Sequence, residues 1–361
     1  MNFWNEQPII ISDDLNDANI YQPIFKLNAT PEGILPKGFS FKTLNLDNHL
    51  DDIYQLLRNH YILSSDKKFG LYYDKEFLKW YLKKAPPKWL IGLVYNHKLI
   101  GFISSILIEC NVNGTDHIVP FINFLCLQEK IRNKYFCPLL LLEMRRIIIS
   151  DGYNFGLFTN TTSILNSFSS VGTYIIPLND KKFKLPIILF DDNNHNDFDY
   201  NENPLTLIDD VDIDQTCHLL NDFLSKYTLK QKFTIDSFKE WFLPKDNPNI
   251  MSWVIHSHPD GIITDFISVY MVKYRIIESK KELKIANLFY YVQNEYSIDD
   301  LLMMLIDKLK KIDVDKLIIL QIMESEKITI NKIKSDVKLN YYFYNFQLPK
   351  IDSNMLGLNS I

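Results

Sequence analysis

The sequence predicts an α/β (α+β) protein of two tandem domains, each a mixed, mostly antiparallel sheet flanked by helices. Three observations carry this. The 361 residues exceed the usual size of a single core. The order of elements is replayed at an offset of roughly 160 residues, too long for a solenoid and right for tandem domains. Asp191 to Asn203, DDNNHNDFDYNEN, is polar and acidic, cannot build a core, and reads as the linker. The expected divisions are an N-terminal arm over 1–46, domains over 47–190 and 204–361, and the linker at 191–203.

The arm is rich in Pro, Asn and Asp and reads as extended, with Phe3 and Trp4 in need of a covering surface. From Asp47 a helix carries Leu50, Ile53, Tyr54, Leu57 and Tyr61 on one face. Lys67 to Tyr73 reads as irregular, and Asp74 to Leu82 as a second helix. Two strands follow around a turn, Trp89–Tyr95 and Leu99–Ile108. Phe121 to Leu127 suits a buried strand, and a basic turn with Arg132 and Lys134 comes next. Pro138 stands where a helix takes its first residue, ahead of Leu140, Leu141, Met144 and Ile148 at helical spacing. Strand, basic loop and helix start together suit phosphate, because unpaired helix N–H groups point at the anion.

The second half repeats this order. Asp209–Tyr227 and Thr234–Leu243 read as helices. Ser252–His256 and Ile262–Val272 form a hairpin around Pro259-Asp260-Gly261, and Phe102-Ile103-Ser104 returns as Phe266-Ile267-Ser268. Ala286–Val292, Ile298–Ile312 and Lys316–Ile322 then match the central strand, its helix and the strand Asn154–Thr159. Where the first copy has Arg132 and Lys134, the second has Glu295, Asp299 and Asp300. Phosphate would be repelled there, so the first copy alone is expected to bind one.

Composition excludes several classes. A net charge of -5 and a pI near 5.9 argue against a nucleic-acid partner. Cys110, Cys126, Cys137 and Cys217 lie far apart without metal spacing, which points to reduced, buried thiols in a cytoplasmic protein and to no metal. The start MNFWNEQPII lacks the pattern of a signal peptide. The most apolar helix is interrupted by Glu143, Arg145 and Arg146, so no stable membrane insertion is expected. Neither a Ser/His/Asp nor a Cys/His constellation is evident. Glu109 and Cys110, or His117, read as edge-strand or loop residues, and His256 and His258, which flank a turn, as exposed loop residues.

Several short pieces, in order, resemble the N-myristoyltransferase (glycylpeptide N-tetradecanoyltransferase) family. They are Phe3-Trp4-Asn5-Glu6-Gln7-Pro8, Leu35-Pro36-Lys37-Gly38-Phe39, Ile122-Asn123-Phe124-Leu125-Cys126, Arg132-Asn133-Lys134-Tyr135-Phe136-Cys137-Pro138, Thr264-Asp265-Phe266 and Tyr341-Tyr342-Phe343-Tyr344-Asn345. The resemblance implies two GNAT-type acyltransferase domains in one pseudo-two-fold unit, a monomer. It further implies transfer of myristate from myristoyl-CoA, as acyl donor, to proteins with an N-terminal glycine. Asn2, Phe3 and Trp4 would cover the nucleotide. Phe124 to Leu127 and Arg132 to Pro138, that is Arg132, Asn133, Lys134, Tyr135, Phe136, Cys137 and Pro138, would hold the CoA. The N–H groups of Phe124 and Leu125 would form the oxyanion hole, and the carboxylate of Ile361 would be the base. A buried carboxyl would rise above its ordinary value of about 3.5 and suit that role better. The peptide groove would take Asp66, Phe69, Phe158, Thr159, Tyr290 and Asp336.

This chain is a divergent member by that reading. Tyr135 stands where the family usually has a second arginine, Phe158 replaces a groove tyrosine, and Gln293 a groove histidine. Leu63-Ser64-Ser65-Asp66 is less acidic than the family's loop, and Asp336 has lost its flanking glycines. The cofactor half is better kept than the peptide half. The alternative is therefore an acyl-CoA-binding relative with lost or altered peptide transfer.

Overall fold

A computed structural model of the chain describes residues 3–9, 22–24, 34–64, 68–164, 167–179, 203–243, 247–279 and 281–361. The first half runs β1 (Gln22–Pro23), β2 (Phe39–Thr43), α1 (Leu46–His60), β3 (Ile62–Leu63), β4 (Phe69–Tyr72), α2 (Lys75–Leu82), β5 (Leu90–Tyr95), β6 (Lys98–Val112), β7 (Thr115–Leu127), α3 (Phe136–Ser150), β8 (Gly156–Asn160) and β9 (Ser169–Pro177). The second runs β10 (Thr206–Leu207), α4 (Ile213–Leu224), β11 (Leu229–Gln231), α5 (Ile235–Phe242), β12 (Ile250–His256), β13 (Ile263–Ile276), β14 (Glu282–Val292), α6 (Ile298–Lys311), β15 (Lys316–Leu320), β16 (Ile333–Tyr344), β17 (Phe346–Gln347) and β18 (Leu356–Gly357). The linker, apart from Asn203, lies outside the described residues.

These elements form two compact units, neither contiguous in sequence. Unit 1 holds Met1–Ser170, Lys273–Glu282 and Leu339–Asp352, and unit 2 holds Val171–Val272, Leu283–Lys338 and Ser353–Ile361. In unit 1 the strands follow the order β2-β5-β6-β7-β8-β16, antiparallel except for the parallel β7/β8 pair. Helix α3 covers part of this sheet. Its Phe136, Leu140, Met144, Ile147 and Ile148 join Trp89, Ile91, Leu93, Ile100, Ile103 and Leu127 in one core. Each large side chain so buried contributes about 1.5–3 kcal/mol. Glu143 on the same helix is 2% exposed and is tolerated because Arg146 donates to both its oxygens, at 2.7 and 2.8 Å.

Unit 2 follows the order β10-β12-β13-β14-β15-β9, with β14/β15 parallel and β15/β9 antiparallel. The strand after each parallel pair is exchanged. Strand β9 leaves the first copy and pairs with β15 of unit 2, while Asn340–Tyr344 of β16 pairs with β8 of unit 1. In both units the parallel ladder is short. It covers Phe121 and Ile122 against Leu157 and Phe158 in unit 1, and Ile285–Asn287 against Lys316–Ile318 in unit 2. Beyond those residues each pair of strands parts.

Two local expectations are corrected. The segment read as irregular contains β4, which pairs with β3 on one side and with the end of β13, Lys273–Ile276, on the other; the latter is far along the chain and invisible to local pattern. Helix α3 begins at Phe136, so Pro138 is its third residue. It fits there because first-turn N–H groups have no acceptor within the helix. In the arm, Phe3–Glu6 is a 3-10 turn, and Phe39–Thr43 is a strand of unit 1 paired with β5.

Candidate active site

In unit 1 the site starts where β7 leaves β8. Cys126 pairs with Phe102 and Asn123 with Ser104, so Phe124 and Leu125 together oppose the single residue Ile103. This is a β-bulge, which takes backbone groups out of the regular ladder. Phe124 has φ +55°, a left-handed conformation uncommon for a bulky residue, which something must hold. Its ring is fully buried against Tyr61, Tyr73 and Tyr81, with centroids 5.6, 5.2 and 5.2 Å away. Its N–H donates to Asn123 Oδ1 at 2.8 Å. The same oxygen accepts from the Tyr61 hydroxyl at 3.3 Å, and Asn123 Nδ2 donates to the Tyr81 oxygen at 3.2 Å. Burial pushes both tyrosine hydroxyls up, so they remain neutral donors. Neutral hydrogen-bonding groups are thus gathered around the backbone N–H of the bulge.

The loop that follows carries the basic residues, and they are used differently. Arg132 Nε donates to the Leu127 carbonyl at 3.1 Å and its Nη2 to the carbonyl of His60, bracing the end of β7 against the end of α1. Burial lowers the His60 imidazole pKa, and the nearby Arg132 and Arg275 add to this against Glu129. Asn133 and Lys134 are exposed. Tyr135 caps α3 in a left-handed conformation, φ +64°, without a side-chain hydrogen bond to the helix, and is 59% exposed. The first-turn N–H groups of α3 therefore receive no side-chain cap, an arrangement suited to an external anion. Burial pushes the Cys126 thiol up to about 12 and the Cys137 thiol to about 11, so neither is a thiolate at neutral pH.

The matching loop of the second copy is closed from within. Asp265, fully buried, accepts from the N–H groups of Asn294 at 2.9 Å, Tyr296 at 3.2 Å and Glu295 at 3.4 Å. Helix α6 also has a capping box of Ser297 and Asp300. By the repeated triplet, the first copy has Gly101 where the second has Asp265. A Cβ on Gly101 would lie 2.6 Å from Leu127 Cδ2, so that position admits no side chain without movement. The repulsion expected from three carboxylates is thus accompanied by direct occupation of the N–H groups.

The arm residues lie on β8. Trp4 stacks on Phe158 with centroids 5.7 Å apart, and Phe158 stacks on Tyr342 at 5.0 Å. Phe3 meets Trp4 edge-on at 5.2 Å. Asn345 donates its N–H to the Pro8 carbonyl at 2.7 Å, which ties the arm to the residue after β16. Phe69 is half-buried on β4, and Thr159 lies on β8 opposite Tyr341. Asn2 and Asp66 lie outside the described residues.

In unit 2, Asp336 is exposed on β16. Tyr290 is fully buried and its hydroxyl is engaged twice, donating to Gln231 Oε1 at 3.0 Å and accepting from the Asn359 N–H at 3.1 Å. The last residues are buried up to Ser360, and Ile361 is partly exposed. Asn123, Tyr61, Tyr81, Asp265 and Asn359 were not singled out as site residues from sequence. Buried tyrosines and asparagines carry no periodic signal that separates them from core. Among the described residues no group of three His, Cys, Asp or Glu side chains could hold a metal, and no helix is long and apolar enough to cross a membrane.

The family description "Myristoyl-CoA:protein N-myristoyltransferase, N-terminal domain" matches residues 20–171, and its C-terminal domain matches residues 197–359. The chain belongs to the N-myristoyltransferase family. A provisionally named glycylpeptide N-tetradecanoyltransferase of Acanthamoeba polyphaga mimivirus is 33% identical, over 86% of this chain and 87% of the relative. Glycylpeptide N-tetradecanoyltransferase 2 of Danio rerio is 31% identical over 99% of this chain and 76% of its own length. The crystal structure of Saccharomyces cerevisiae N-myristoyltransferase with bound myristoyl-CoA matches with a TM-score of 0.85 and 25% identity, covering 99% of this chain and 93% of that one. A GCN5-related N-acetyltransferase of Anabaena variabilis, at a TM-score of 0.50 and 11% identity, shares the fold alone over 84% of this chain and 72% of that one. The N-myristoyltransferase fold is thus of the two-domain GNAT type expected from the sequence.

Proposed function

We propose that the chain transfers myristate from myristoyl-CoA to the N-terminal glycine amine of protein substrates, by direct attack of the amine on the thioester. The observation that carries this reading is the β7 bulge at Phe124 and Leu125, inside the segment matched by the family's N-terminal domain. Its N–H groups are the donors for the oxyanion that forms as the amine adds. Losing one such donor costs about 3–4 kcal/mol of transition-state stabilisation. Asn123 Oδ1 accepts from the Phe124 N–H, and the thioester oxygen competes with it for that donor. The open first turn of α3 and Lys134 receive the CoA phosphates, with Arg132 bracing the loop and Asn133 to Pro138 shaping it. Phe3, Trp4 and Asn2 close over the nucleotide.

The reaction is a balanced displacement. The glycine ammonium gives a proton to the main-chain carboxylate of Ile361, and the free amine adds to the thioester carbonyl. The C–N bond forms, the C–S bond breaks, and CoA leaves as a thiol carrying the second proton that the adduct nitrogen gives up as it becomes the amide. The protein supplies no covalent nucleophile, in keeping with the protonated thiols of Cys126, which is buried, and Cys137, which is half-buried. Asp66, Phe69, Phe158, Thr159, Tyr290 and Asp336 are assigned to peptide recognition, and the protein is a cytoplasmic monomer. Mass spectrometry of a glycine-initiated peptide incubated with myristoyl-CoA and the protein tests this. A tetradecanoyl amide on the glycine nitrogen is expected. Acyl-CoA binding without any peptide product would favour the binding relative instead.

A further inference from the structure

The geometry points to Asn359 as the positioning residue that sets the register of the C-terminal tail and so places the Ile361 carboxylate. This inference rests on the reading above, in which that carboxylate is the base. Strand β14 parts from β15 after Asn287, and the tail bonds to the stretch just beyond. Asn359 Nδ2 donates to the Leu288 carbonyl at 3.1 Å and to the Phe289 carbonyl at 2.6 Å. Its own N–H donates to the Tyr290 hydroxyl at 3.1 Å, so one residue makes three contacts with three successive residues of β14. Tyr270 adds a fourth, donating to the Ser360 carbonyl at 3.2 Å.

The orientation of the carboxamide is set by these bonds, because the flipped form would turn its oxygen on two carbonyl oxygens. Its Oδ1 is consequently buried without a partner, and Asn359 is only 5% exposed. An unsatisfied buried acceptor is costly, so an amide at this place is a poor choice for stability alone. It is a good choice for register. A slip of one residue along β14 would move Ile361 by about 3.3 Å, beyond hydrogen-bond reach of a bound amine. Upstream the tail is held as firmly, since β18 pairs with β11 and a Cβ on Gly357 would come within 2.8 Å of Tyr227 Cδ2.

The test compares the full-length wild type with Asn359→Leu, Tyr270→Phe and a variant extended by three residues after Ile361. Single-turnover transfer from myristoyl-CoA to a glycine-initiated peptide is measured per acyl-CoA-binding site titrated by calorimetry, so that misfolded protein does not count. Asn359→Leu should lose at least tenfold in rate per site while its acyl-CoA dissociation constant stays within twofold of wild type. Tyr270→Phe, which removes one anchoring hydroxyl, should lose about threefold, and it decides the matter if Asn359→Leu fails to fold. Wild-type rates per site in Asn359→Leu, or in Tyr270→Phe if Asn359→Leu does not fold, would overturn the positioning role while the extended variant is inactive. Full activity in the extended variant would remove the base assignment, and the inference with it.

Discussion

The backbone N–H of Phe124 donates to the side-chain oxygen of its own neighbour, Asn123, at 2.8 Å. A residue held at φ +55° thus has its outward N–H satisfied by a group that can leave, since a carboxamide rotates about its side-chain bonds. Asn123→Ala should therefore act on stability. It removes the partner of the Tyr61 and Tyr81 hydroxyls and should lower stability by about 1–3 kcal/mol, the usual cost of stranded buried polar groups. Denaturant unfolding reads this directly. A stability equal to wild type would show that water replaces the amide.

Arg132 and Lys134 should separate on mutation. Arg132 braces two carbonyls, so Arg132→Ala should lower both the unfolding midpoint and acyl-CoA affinity. Lys134 is exposed, so Lys134→Ala should leave the midpoint unchanged and weaken acyl-CoA binding about tenfold, or 1.4 kcal/mol. Calorimetric titration beside thermal unfolding distinguishes them, and equal losses of stability would contradict the assignment.

No acyl-enzyme should accumulate. The Cys126 and Cys137 thiols, pushed up to about 12 and 11 by burial, are protonated at pH 7.5 and should resist iodoacetamide in the native protein. Intact-mass measurement during turnover should find the unmodified chain. A myristoyl adduct on either cysteine would require a different mechanism.

Asp265→Ala should be severely destabilising. Three N–H groups of the loop before α6 lose their acceptor in a fully buried place, a cost of about 3 kcal/mol or more. Asp265→Asn keeps one oxygen and should lie between the two proteins in denaturant midpoint.

Stability should also carry a pH signature from Glu324. Burial alone would raise its pKa, but Lys226, Lys327 and Gln293 together outweigh burial and hold it below the ordinary carboxylate value. A carboxylate with a depressed folded pKa contributes stability above its unfolded pKa and loses it as pH falls through the folded one. The deficit of Glu324→Gln relative to wild type should be full at pH 7 and vanish in acid. A deficit independent of pH would point to packing instead.

How much of this was legible in the sequence differs between levels. The repeat, the central strand, the basic loop and α3 all follow from local periodicity and turn chemistry. Strand β4 was not legible, because its longer pairing is with the end of β13, far along the chain. Nor was the bulge at Phe124, whose left-handed backbone has none of the glycine that normally marks such a turn. Arg132 reads as a phosphate ligand by type and place, and its bonds to the carbonyls of Leu127 and His60 exist only in three dimensions. Asn359 and Asp265 are polar residues whose partners lie in other elements, so their roles exist only in three dimensions.

The exchanged strands bear on how the chain can be made. Unit 1 is incomplete until Asn340–Tyr344 is available to pair with β8, and those residues are made only after β9 to β15. The first half of a nascent chain must therefore wait, with one flank of β8 unpaired, through synthesis of nearly all of the second. Expression of residues 1–190 alone should give an aggregation-prone fragment, whereas supplying residues 204–361 in the same cell should restore solubility by providing the missing strand.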